Sequence, residues 1–149
     1  MVVLGIEHRV KRAKRIKGAQ IRTLSKQRGH RTMAKFRFQD LRTWQLAIEI
    51  ANDLFDIADD LEKKRLYRFA DQLRGSGMSM SNNISEGSGP SSKKEFKRFL
   101  DISRRSTFEN ANFVILLQMR KLMTGETLDS LLDRLDGLCR QITSFQYTL

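Results

Sequence analysis

The sequence predicts an all-α protein whose helices pack as an antiparallel, up-down-up-down four-helix bundle. In four successive segments after residue 35, apolar residues recur at steps of three and four, the periodicity of a helix with one buried face. No segment shows the strict apolar–polar alternation of a strand or the turn of a hairpin. Short connections between the segments favour antiparallel neighbours, and about 110 residues are enough to enclose a core.

The first helix is predicted to begin at Asp40, a residue type that commonly caps a helix N-terminus. Its apolar residues form two adjoining rows, Leu41, Trp44, Ile48, Ala51, Phe55 and Ala58, and Ala47, Ile50, Leu54, Ile57 and Leu61. Two rows make a wider apolar surface than a single packing seam needs. We therefore expect part of this surface to bury against a second copy of the chain.

The second helix is predicted from about Arg65 to Glu86, on the apolar row Leu66, Phe69, Leu73, Gly77, Met80 and Ile84. Its middle is rich in small residues, namely Gly75, Ser76, Gly77 and Ser79. Because glycine weakens a helix, a kink is one interpretation. The interpretation that we favour is the close approach of a neighbouring helix. The run of small residues and proline over 87–90 is expected to end the segment.

The third helix is predicted to open with a capping box over 92–95 and to run to Met123, a length of about 48 Å, before Gly125 breaks it. The residues expected on its buried side are Phe96, Phe99, Leu100, Ile102, Phe113, Leu116 and Leu117. The fourth helix has the most regular row, Leu128, Leu131, Leu135, Leu138, Ile142, Phe145 and Leu149. Cys139 flanks this row, so we predict a core thiol rather than a nucleophile.

The composition excludes several classes of protein. With one Cys and two His among 149 residues, the chain has no disulfide framework of its own, no cysteine zinc site and little material for a histidine site. No apolar run approaches the length of a membrane span. The glycines form neither of the common phosphate-binding loops. We expect a soluble, cytoplasmic protein without a cofactor.

The positive charge is concentrated at the N-terminus. Residues 1–35 contain 11 Lys and Arg and one acid, a charge of +10, whereas residues 36–149 contain 17 basic and 16 acidic residues, a charge of +1. We therefore divide the chain into a basic N-terminal extension, 1–35, and a four-helix bundle, 36–149. The extension is interpreted as an arm that contacts phosphates, as a disordered leader, or as a segment upstream of a natural start at Met33.

Polar side chains occupy positions where the helical pattern would place apolar ones. They are Ser79, Asn83 and Glu86 on the second helix, and Ser106, Glu109 and Asn110 on the third, with Arg74 and Gln72 as candidate partners. A carboxylate in a bundle core must be paired or hydrogen-bonded. We predict a structural hydrogen-bond network of Arg74, Ser79, Asn83, Glu86, Ser106 and Glu109 that fixes helix register.

No catalytic, cofactor-binding or metal-binding residue is predicted. A carboxylate-bridged metal site in a bundle uses Glu-x-x-His pairs, but Gly89 and Asn112 stand three residues after Glu86 and Glu109. General acid–base catalysis by the same two carboxylates would need a pocket and a nucleophile that the sequence does not reveal. An enzyme that uses Glu86 or Glu109 is therefore the least favoured interpretation.

Two groups of cations are candidates for contact with nucleic acid, since Lys and Arg arrays bind phosphate backbones. They are Lys63, Lys64, Arg65 and Arg68 at the first turn, and Lys93, Lys94, Lys97, Arg98, Arg104 and Arg105 on the third helix. Glu95 and Asp101 interrupt the second group, and no aromatic platform of the kind found in RNA-binding domains accompanies it. A solvated surface is the alternative. The acids Asp53, Asp56, Asp59, Asp60, Glu62, Asp129, Asp133 and Asp136 are expected to face solvent.

Three stretches carry a family resemblance. They are residues 38–47 (FQDLRTWQLA), the positions Gln72-Leu73-Arg74, Ser79 and 83–87 (NISEG), and the positions Phe96, Phe99-Leu100, Ser106 and Glu109. Over residues 36–149 they resemble the bacterial four-helix bundle family associated with intervening sequences of 23S ribosomal RNA. The chain departs from the family pattern at 76–77, 81, 85 and 105, where the family commonly has Ala-Ala, Pro, Ala and Gly.

The resemblance implies a bundle that assembles as a ring, a homopentamer. The accessory variability determinant of diversity-generating retroelements, a related basic pentamer, engages reverse transcriptase and nucleic acid. By analogy we expect a non-enzymatic homo-oligomer that binds RNA or a ribonucleoprotein through cations at the bundle ends and the N-terminal segment. The alternative is an adaptor ring that contacts a protein and no nucleic acid.

Overall fold

The described part of the chain, residues 35–89 and 92–149 of a computed structural model, is all-helical and contains no strand. A short 3₁₀ turn, Arg37–Asp40, precedes helices α1 (Arg42–Lys63), α2 (Tyr67–Gly87), α3 (Lys93–Met119) and α4 (Gly125–Thr148). The predicted all-α class and the number of helices are thereby confirmed. The predicted basic extension lies outside the described residues, apart from Lys35. None of these helices has the length and apolarity to cross a membrane.

The four helices alternate in direction around one core. Helix α2 packs against α1 and α3, and α4 packs against α3 and closes the bundle against α1. The contacts run antiparallel: the hydroxyl oxygens of Ser79 and Ser106 lie 2.8 Å apart, while Gln72, earlier in α2, bonds to Glu109, later in α3. The connections of three to five residues leave no room for another arrangement. The chain therefore forms the predicted up-down-up-down bundle.

The apolar rows of the sequence form the core. The side chains with less than 2% exposure are Ile50, Leu54, Leu61, Leu73, Met80, Ile84, Leu100, Val114, Leu117, Leu135, Leu138 and Ile142. Leu116, which was predicted to be buried, is 39% exposed. Consecutive helical residues are rotated by about 100°, so Leu117 takes the core position and turns its neighbour outward.

The wide apolar surface of α1 is used within a single copy. No α1 residue is among the exposed large apolar side chains, and Trp44, Ile48 and Phe55 are half-buried. Helix α1 is flanked by α2, by α4 and by the 3₁₀ turn, whose Phe38 ring lies 5.0 Å from the Trp44 ring between centroids. The expectation that this surface requires a second copy is therefore not supported.

The starts of the helices differ in how they are capped. Asp40 ends the 3₁₀ turn rather than capping α1, so that prediction is wrong: the N-cap is Leu41, which has no side-chain cap, and its N–H donates to the Phe38 carbonyl at 2.9 Å. At α3 the predicted cap is present, since the Ser92 hydroxyl accepts from the Glu95 N–H. Thr124, which the sequence analysis missed, caps α4 in the same way.

Helices α1 and α3 end in the same backbone motif. Helix α3 ends at Met119, not at the predicted Met123, because Lys121 adopts a left-handed backbone with φ of 58°. The next residue, Leu122, donates its N–H back to the Leu117 carbonyl at 2.9 Å and packs against the core. This is the Schellman pattern, with a hydrophobic residue after the left-handed position. Gly125 then belongs to α4 rather than breaking α3.

At the end of α1 the left-handed residue is Arg65, with φ of 60°. Leu66 follows it, donates its N–H to the Leu61 carbonyl at 3.0 Å and also packs against the core. In both turns a basic residue takes the position that commonly belongs to glycine. The burial of the following leucine offsets the backbone strain, and the side chain of the basic residue is left exposed.

Small residues in α2 permit close approach of its neighbours, as predicted, and the helix continues through them without a break. A Cβ atom at Gly77 would lie 3.4 Å from Leu54 Cδ1, and one at Gly87 would lie 2.6 Å from both Phe96 Cδ2 and Phe99 Cβ. Gly75 differs, since nothing lies within 4 Å of the place its Cβ would take. The close contacts are therefore at Gly77 towards α1 and at Gly87 towards α3.

The variant Gly87→Ala should be less stable than the parent by about 1–3 kcal/mol, because the new methyl group overlaps two side chains of α3. Gly75→Ala is the matched control on the same helix. It should raise the free energy of unfolding by up to about 1 kcal/mol, since alanine favours a helix and the site is open. Guanidinium denaturation followed by circular dichroism measures both values. Equal stability of the parent and Gly87→Ala would contradict the packing described here.

Candidate functional site

The fold gathers cations at the end of the bundle where α1 meets α2 and α3 meets α4, which we call the turn end. Lys63, Lys64, Arg65 and Arg68 lie there, and all four are exposed. Arg120 and Lys121, which the sequence analysis did not single out, join them because the α3–α4 connection reaches the same end. The left-handed residues of the two turns, Arg65 and Lys121, are 56 residues apart in sequence, and the turns are neighbours only in an antiparallel bundle. The sequence did contain a signal for these paired turns. In both 61–66 and 117–122, a leucine is followed by three residues, then a basic residue and a second leucine.

The opposite end carries a second group of cations. The first turns of α3 supply Lys93, Lys94, Lys97 and Arg98, all exposed, and the segment before and into α1 adds Arg37 and Arg42. Gln146 of α4 donates its side-chain amide to the Lys97 carbonyl and to Asp101, at 3.0 Å in each case. This contact holds the end of α4 against the start of α3 and leaves the lysine side chains directed to solvent.

Ion pairs separate the predicted cations into two sets. Lys63 is paired with Asp60 at 2.7 Å, and Arg104 with Asp101 at 3.2 Å. Among the residues that the structure describes, the other eight form no ion pair; they are Lys64, Arg65, Arg68, Lys93, Lys94, Lys97, Arg98 and Arg105. Seven of these eight side chains, all but Arg105 in the middle of α3, lie at the two ends of the bundle.

Several acids of α1 hold the bundle together rather than facing only solvent. Arg134 of α4 reaches across to Asp53 and Glu49 of α1, and Asp53 is largely covered. Arg74 of α2 binds Asp59 and Glu62, each at 2.7 Å. The expectation that all these acids face solvent is therefore wrong for Asp53 and Asp60, whose side chains are 20% and 22% exposed. The hydrogen bonds from Arg74 to the two carboxylates raise the pKa of its guanidinium.

Helices α2 and α3 are joined by a polar network. The Ser76 hydroxyl donates to Asn110 Oδ1 at 2.8 Å, and the Asn110 amide donates to the Ser106 carbonyl at 2.8 Å. The Ser106 and Ser79 hydroxyls share a hydrogen bond, and the Asn83 amide donates to the carbonyl and hydroxyl oxygens of Ser79. The structure thus brings together Ser79, Asn83 and Ser106 of the predicted set and adds Ser76 and Asn110.

Three predicted members lie outside this network. Arg74 is turned towards α1, where it binds acids, and Glu86 is exposed on the last turn of α2, so for both residues the prediction is wrong. Glu109 is also exposed, and its Oε1 accepts a hydrogen bond from Gln72 Nε2 at 2.7 Å. Carboxylates at these helix edges reach water at little cost, whereas burial would require a partner for each oxygen.

The buried polar atoms of this network all have hydrogen-bond partners. No buried side-chain nitrogen or oxygen of the described residues lacks a hydrogen-bond partner. Ser103 and Thr107, also buried on α3, donate to the carbonyls of Met80 and Ser103 at 2.7 and 2.9 Å. A satisfied buried network fixes the register of two helices. Its serine hydroxyls are bound to carbonyl, hydroxyl and amide oxygens, and no histidine lies beside them within the described residues.

An open groove runs between α2 and α3 above this network, near the turn end. Its lining residues are Tyr67, Arg68, Asp71, Gln72, Gly75, Ser76, Ser79 and Glu109. The pair of Gln72 and Glu109 bridges the two helices across the groove. Sequence reasoning missed the groove because it assigned Glu109 to the core.

The outer face of α3 changes character along the helix. Its first half carries the cations described above, and its second half exposes a strip of apolar side chains, Phe108, Ile115, Leu116 and Met119, which we call the α3 strip. Phe108 is 65% exposed and Met119 72%. Phe108, Ile115 and Met119 are seven and four residues apart, so they share the helix face opposite to the core row, although the intermediate position holds the polar Asn112.

Cys139 has the surroundings of a packed thiol. It is half-buried on α4, and burial raises the pKa of the thiol, with a smaller contribution from the negative charge of Asp136. A raised pKa leaves less of the nucleophilic thiolate at neutral pH. Within the described residues, no three His, Cys, Asp or Glu side chains gather in a way that could hold a metal ion.

The comparison with protein families identifies one match. Residues 39–144 match the family model described as 23S rRNA-intervening sequence protein. The matched stretch covers α1, α2, α3 and most of α4. No individual curated protein matches the chain.

The variant Asn110→Ala should lower the free energy of unfolding by about 1–3 kcal/mol, because it removes two buried hydrogen bonds. One joins Ser76 of α2 to Asn110 of α3, and the other joins Asn110 to the Ser106 carbonyl within α3. Glu86→Gln should change it by less than about 0.5 kcal/mol, since Glu86 is exposed. Urea denaturation at neutral pH measures both. A large loss for Glu86→Gln, or none for Asn110→Ala, would show that the stabilising polar contacts lie elsewhere.

Proposed function

This chain belongs to the family of 23S rRNA-intervening sequence proteins, and we propose that it is a non-enzymatic helical bundle that binds structured RNA. The observation that supports this proposal is the grouping of exposed cations at the two ends of the bundle, most of which form no ion pair with another described residue. The family description refers to ribosomal RNA. The proposed RNA role also suits the cytoplasmic location that the sequence predicts.

For the proposed RNA binding, the location of the charged residues on the bundle matters more than the net charge of the bundle. The bundle is almost neutral, with 17 basic and 16 acidic residues over 36–149. Helix α3 has six basic and three acidic residues, whereas α1 has two basic and six acidic residues. Three of the α1 acids, Asp59, Asp60 and Glu62, lie near its C-terminus at the turn end, where they pair with Lys63 and Arg74. Because screening acts over about 8–10 Å, the more distant acids of α1 have less effect on a phosphate at this end.

The two ends are separated by about 33 Å, the length of a 22-residue helix. Phosphates spaced over that distance belong to a folded RNA segment rather than to a single nucleotide. Contacts to phosphates carry little sequence information and report the shape of the RNA. Residues 1–35, with a charge of +10, add attraction that is independent of sequence.

We further propose that the bundle assembles as a homo-oligomeric ring, a pentamer by the family resemblance. The α3 strip supports self-association, since exposed apolar side chains of this kind commonly mark a contact surface. The uneven charge of α3 and α1 supports a contact between different faces of successive copies. Such head-to-tail contacts form a ring when the rotation between successive copies closes, and an open filament otherwise.

The α3 strip also supports the second candidate function, an adaptor ring that contacts a protein and no nucleic acid. Both functions require the ring, and they differ in whether the cationic ends contact phosphate. RNA binding and its dependence on salt therefore discriminate between them.

The double variant Lys64→Gln/Arg68→Gln should bind a labelled RNA hairpin more weakly than the parent chain. For two lost phosphate contacts, the slope of the logarithm of affinity against the logarithm of salt concentration should fall by about 1.5. Fluorescence anisotropy on the full chain between about 50 and 300 mM salt measures this slope.

The matched control is Arg104→Gln/Arg140→Gln. It removes the same number of charges, but both arginines are paired with acids of their own helices, Asp101 and Asp136. Its slope should equal that of the parent. Equal losses in the two double variants would mean that only net charge matters, and no binding at low salt would exclude the RNA function.

The double variant Phe108→Gln/Met119→Gln should dissociate the assembly, because it removes the two most exposed side chains of the α3 strip. Light scattering should then give the mass of one chain, 17.3 kDa, in place of a multiple of it. Met78→Gln/Tyr147→Gln is the control, since it removes exposed apolar side chains of α2 and α4. A parent chain that is itself monomeric would exclude the ring.

A further inference from the structure

The groove between α2 and α3 has the dimensions of a small-molecule site. It has a volume of about 710 Å³, within the range of ligand pockets, and it is open to solvent. From Tyr67 to Ser79 it extends about 18 Å along α2. Its mouth adjoins the turn end of the bundle, where Arg65 and Arg68 lie exposed. A chain of phosphates held at the turn end would therefore pass beside the groove.

Tyr67 provides an uncovered aromatic surface at this mouth. It is the first residue of α2, it is 55% exposed, and it is not among the three pairs of stacked or tilted rings in the described residues. Arg68, the next residue, lines the groove with it. An exposed ring beside a cation is the arrangement on which an unpaired base stacks while its phosphate is neutralised.

Some polar groups of the groove are already engaged and others are not. The Ser79 and Ser76 hydroxyls bond to Ser106 and Asn110 in the network beneath. The carboxylates of Asp71 and Glu109 are exposed, and although Glu109 Oε1 accepts from the Gln72 amide, its Oε2 makes no hydrogen bond within the described residues. A carboxylate oxygen can only accept, so it selects ligands that offer an N–H donor.

Gly75 keeps the groove open. It is exposed in the middle of α2, between Tyr67 and Ser79, and nothing lies within 4 Å of the position its Cβ would take. A side chain at this position would therefore start in open space and extend into the groove. The absence of a side chain here is not required for helix packing, in contrast to Gly87.

We propose that this groove binds an unpaired nucleobase of RNA, stacked on Tyr67, with its exocyclic amino group donating to Glu109 and its phosphate beside Arg68. The inference rests on the proposed RNA binding and names the part of the RNA that enters the protein. Cytosine carries an amino donor where uracil carries a carbonyl acceptor. Glu109 therefore favours bases that carry an exocyclic amino group, namely cytosine, adenine and guanine, over uracil, which offers a carboxylate only its ring N3–H.

The test uses the full chain and two single-stranded oligonucleotides, oligo(C) and oligo(U), with anisotropy measured at about 0.3 M salt to suppress phosphate-only binding. The parent chain should prefer oligo(C). Gly75→Leu should weaken its binding roughly fivefold to 100-fold, the effect of losing one stacked base, and remove the preference. Gly137→Leu is the matched control, since Gly137 is also helical and has no atom within 4 Å of its Cβ position. Its preference and affinity should equal those of the parent.

Two further variants identify the contacts. Tyr67→Phe should keep the affinity and Tyr67→Ala should lose it, because stacking needs the ring and not the hydroxyl. Glu109→Gln should bring oligo(C) and oligo(U) to similar affinities, since an amide both donates and accepts. All variants should retain the helical circular dichroism spectrum of the parent.

The outcomes separate this proposal from the wider one. Salt-dependent binding of the RNA hairpin together with no effect of Gly75→Leu on either oligonucleotide would overturn the groove and leave the proposed RNA function standing. A fall in molecular mass for Gly75→Leu, with no change in base preference, would show that the groove receives a neighbouring copy and would also overturn it. Absence of any RNA binding at low salt would overturn both.

Discussion

The close approach of α2 to both of its neighbours is the constraint on which the rest of the bundle depends. At Gly77 the helix comes within van der Waals reach of Leu54 of α1, and Gly87 lets the start of α3 approach still more closely. Next to Gly77, the hydrogen bond from Ser76 to Asn110 fixes how far α3 can slide along α2. That register carries the α3–α4 connection to the end of the bundle where α1 turns into α2. The cations of two distant turns become one group only because this sliding is prevented.

Local periodicity made the helices and their core rows predictable, whereas the residues at the edges of those rows were not. A step of three or four residues fixes which side chains share a face, but it does not say whether a polar side chain at the margin turns inward or outward. Glu109 and Arg74 both lie at such margins. Each takes the nearest partner that leaves it in contact with water, Gln72 for the first and the acids of α1 for the second. Only the neighbouring helix decides that choice.

The end of α3 shows a second limit of local patterns. The sequence continues with helix-compatible residues to Met123, yet the helix ends at Met119. A left-handed Lys121 is unfavourable by itself, and it is stabilised because Leu122 then reaches the core. In the same way, the left-handed Arg65 is stabilised because Leu66 reaches the core. Both turns expose a basic side chain for a structural reason, so a cation at the turn end is a consequence of how the helices stop as well as a candidate contact for phosphate.

The groove and the polar network beneath it use the same two helices for different purposes. Ser76 and Ser79 line the groove, but their hydroxyls are committed to α3, so they make its floor rigid and leave it with few groups able to recognise a ligand. A rigid floor requires no ordering when a ligand binds, which favours affinity. In the base site that we propose, recognition depends on the groups at the rim, Tyr67 for its ring and Glu109 for Oε2, which makes no hydrogen bond within the described residues. The sequence pattern predicted a single buried network here, whereas the structure has two layers. The lower layer is buried and fully hydrogen-bonded and holds the helices in register, and the upper layer is exposed and lines the groove.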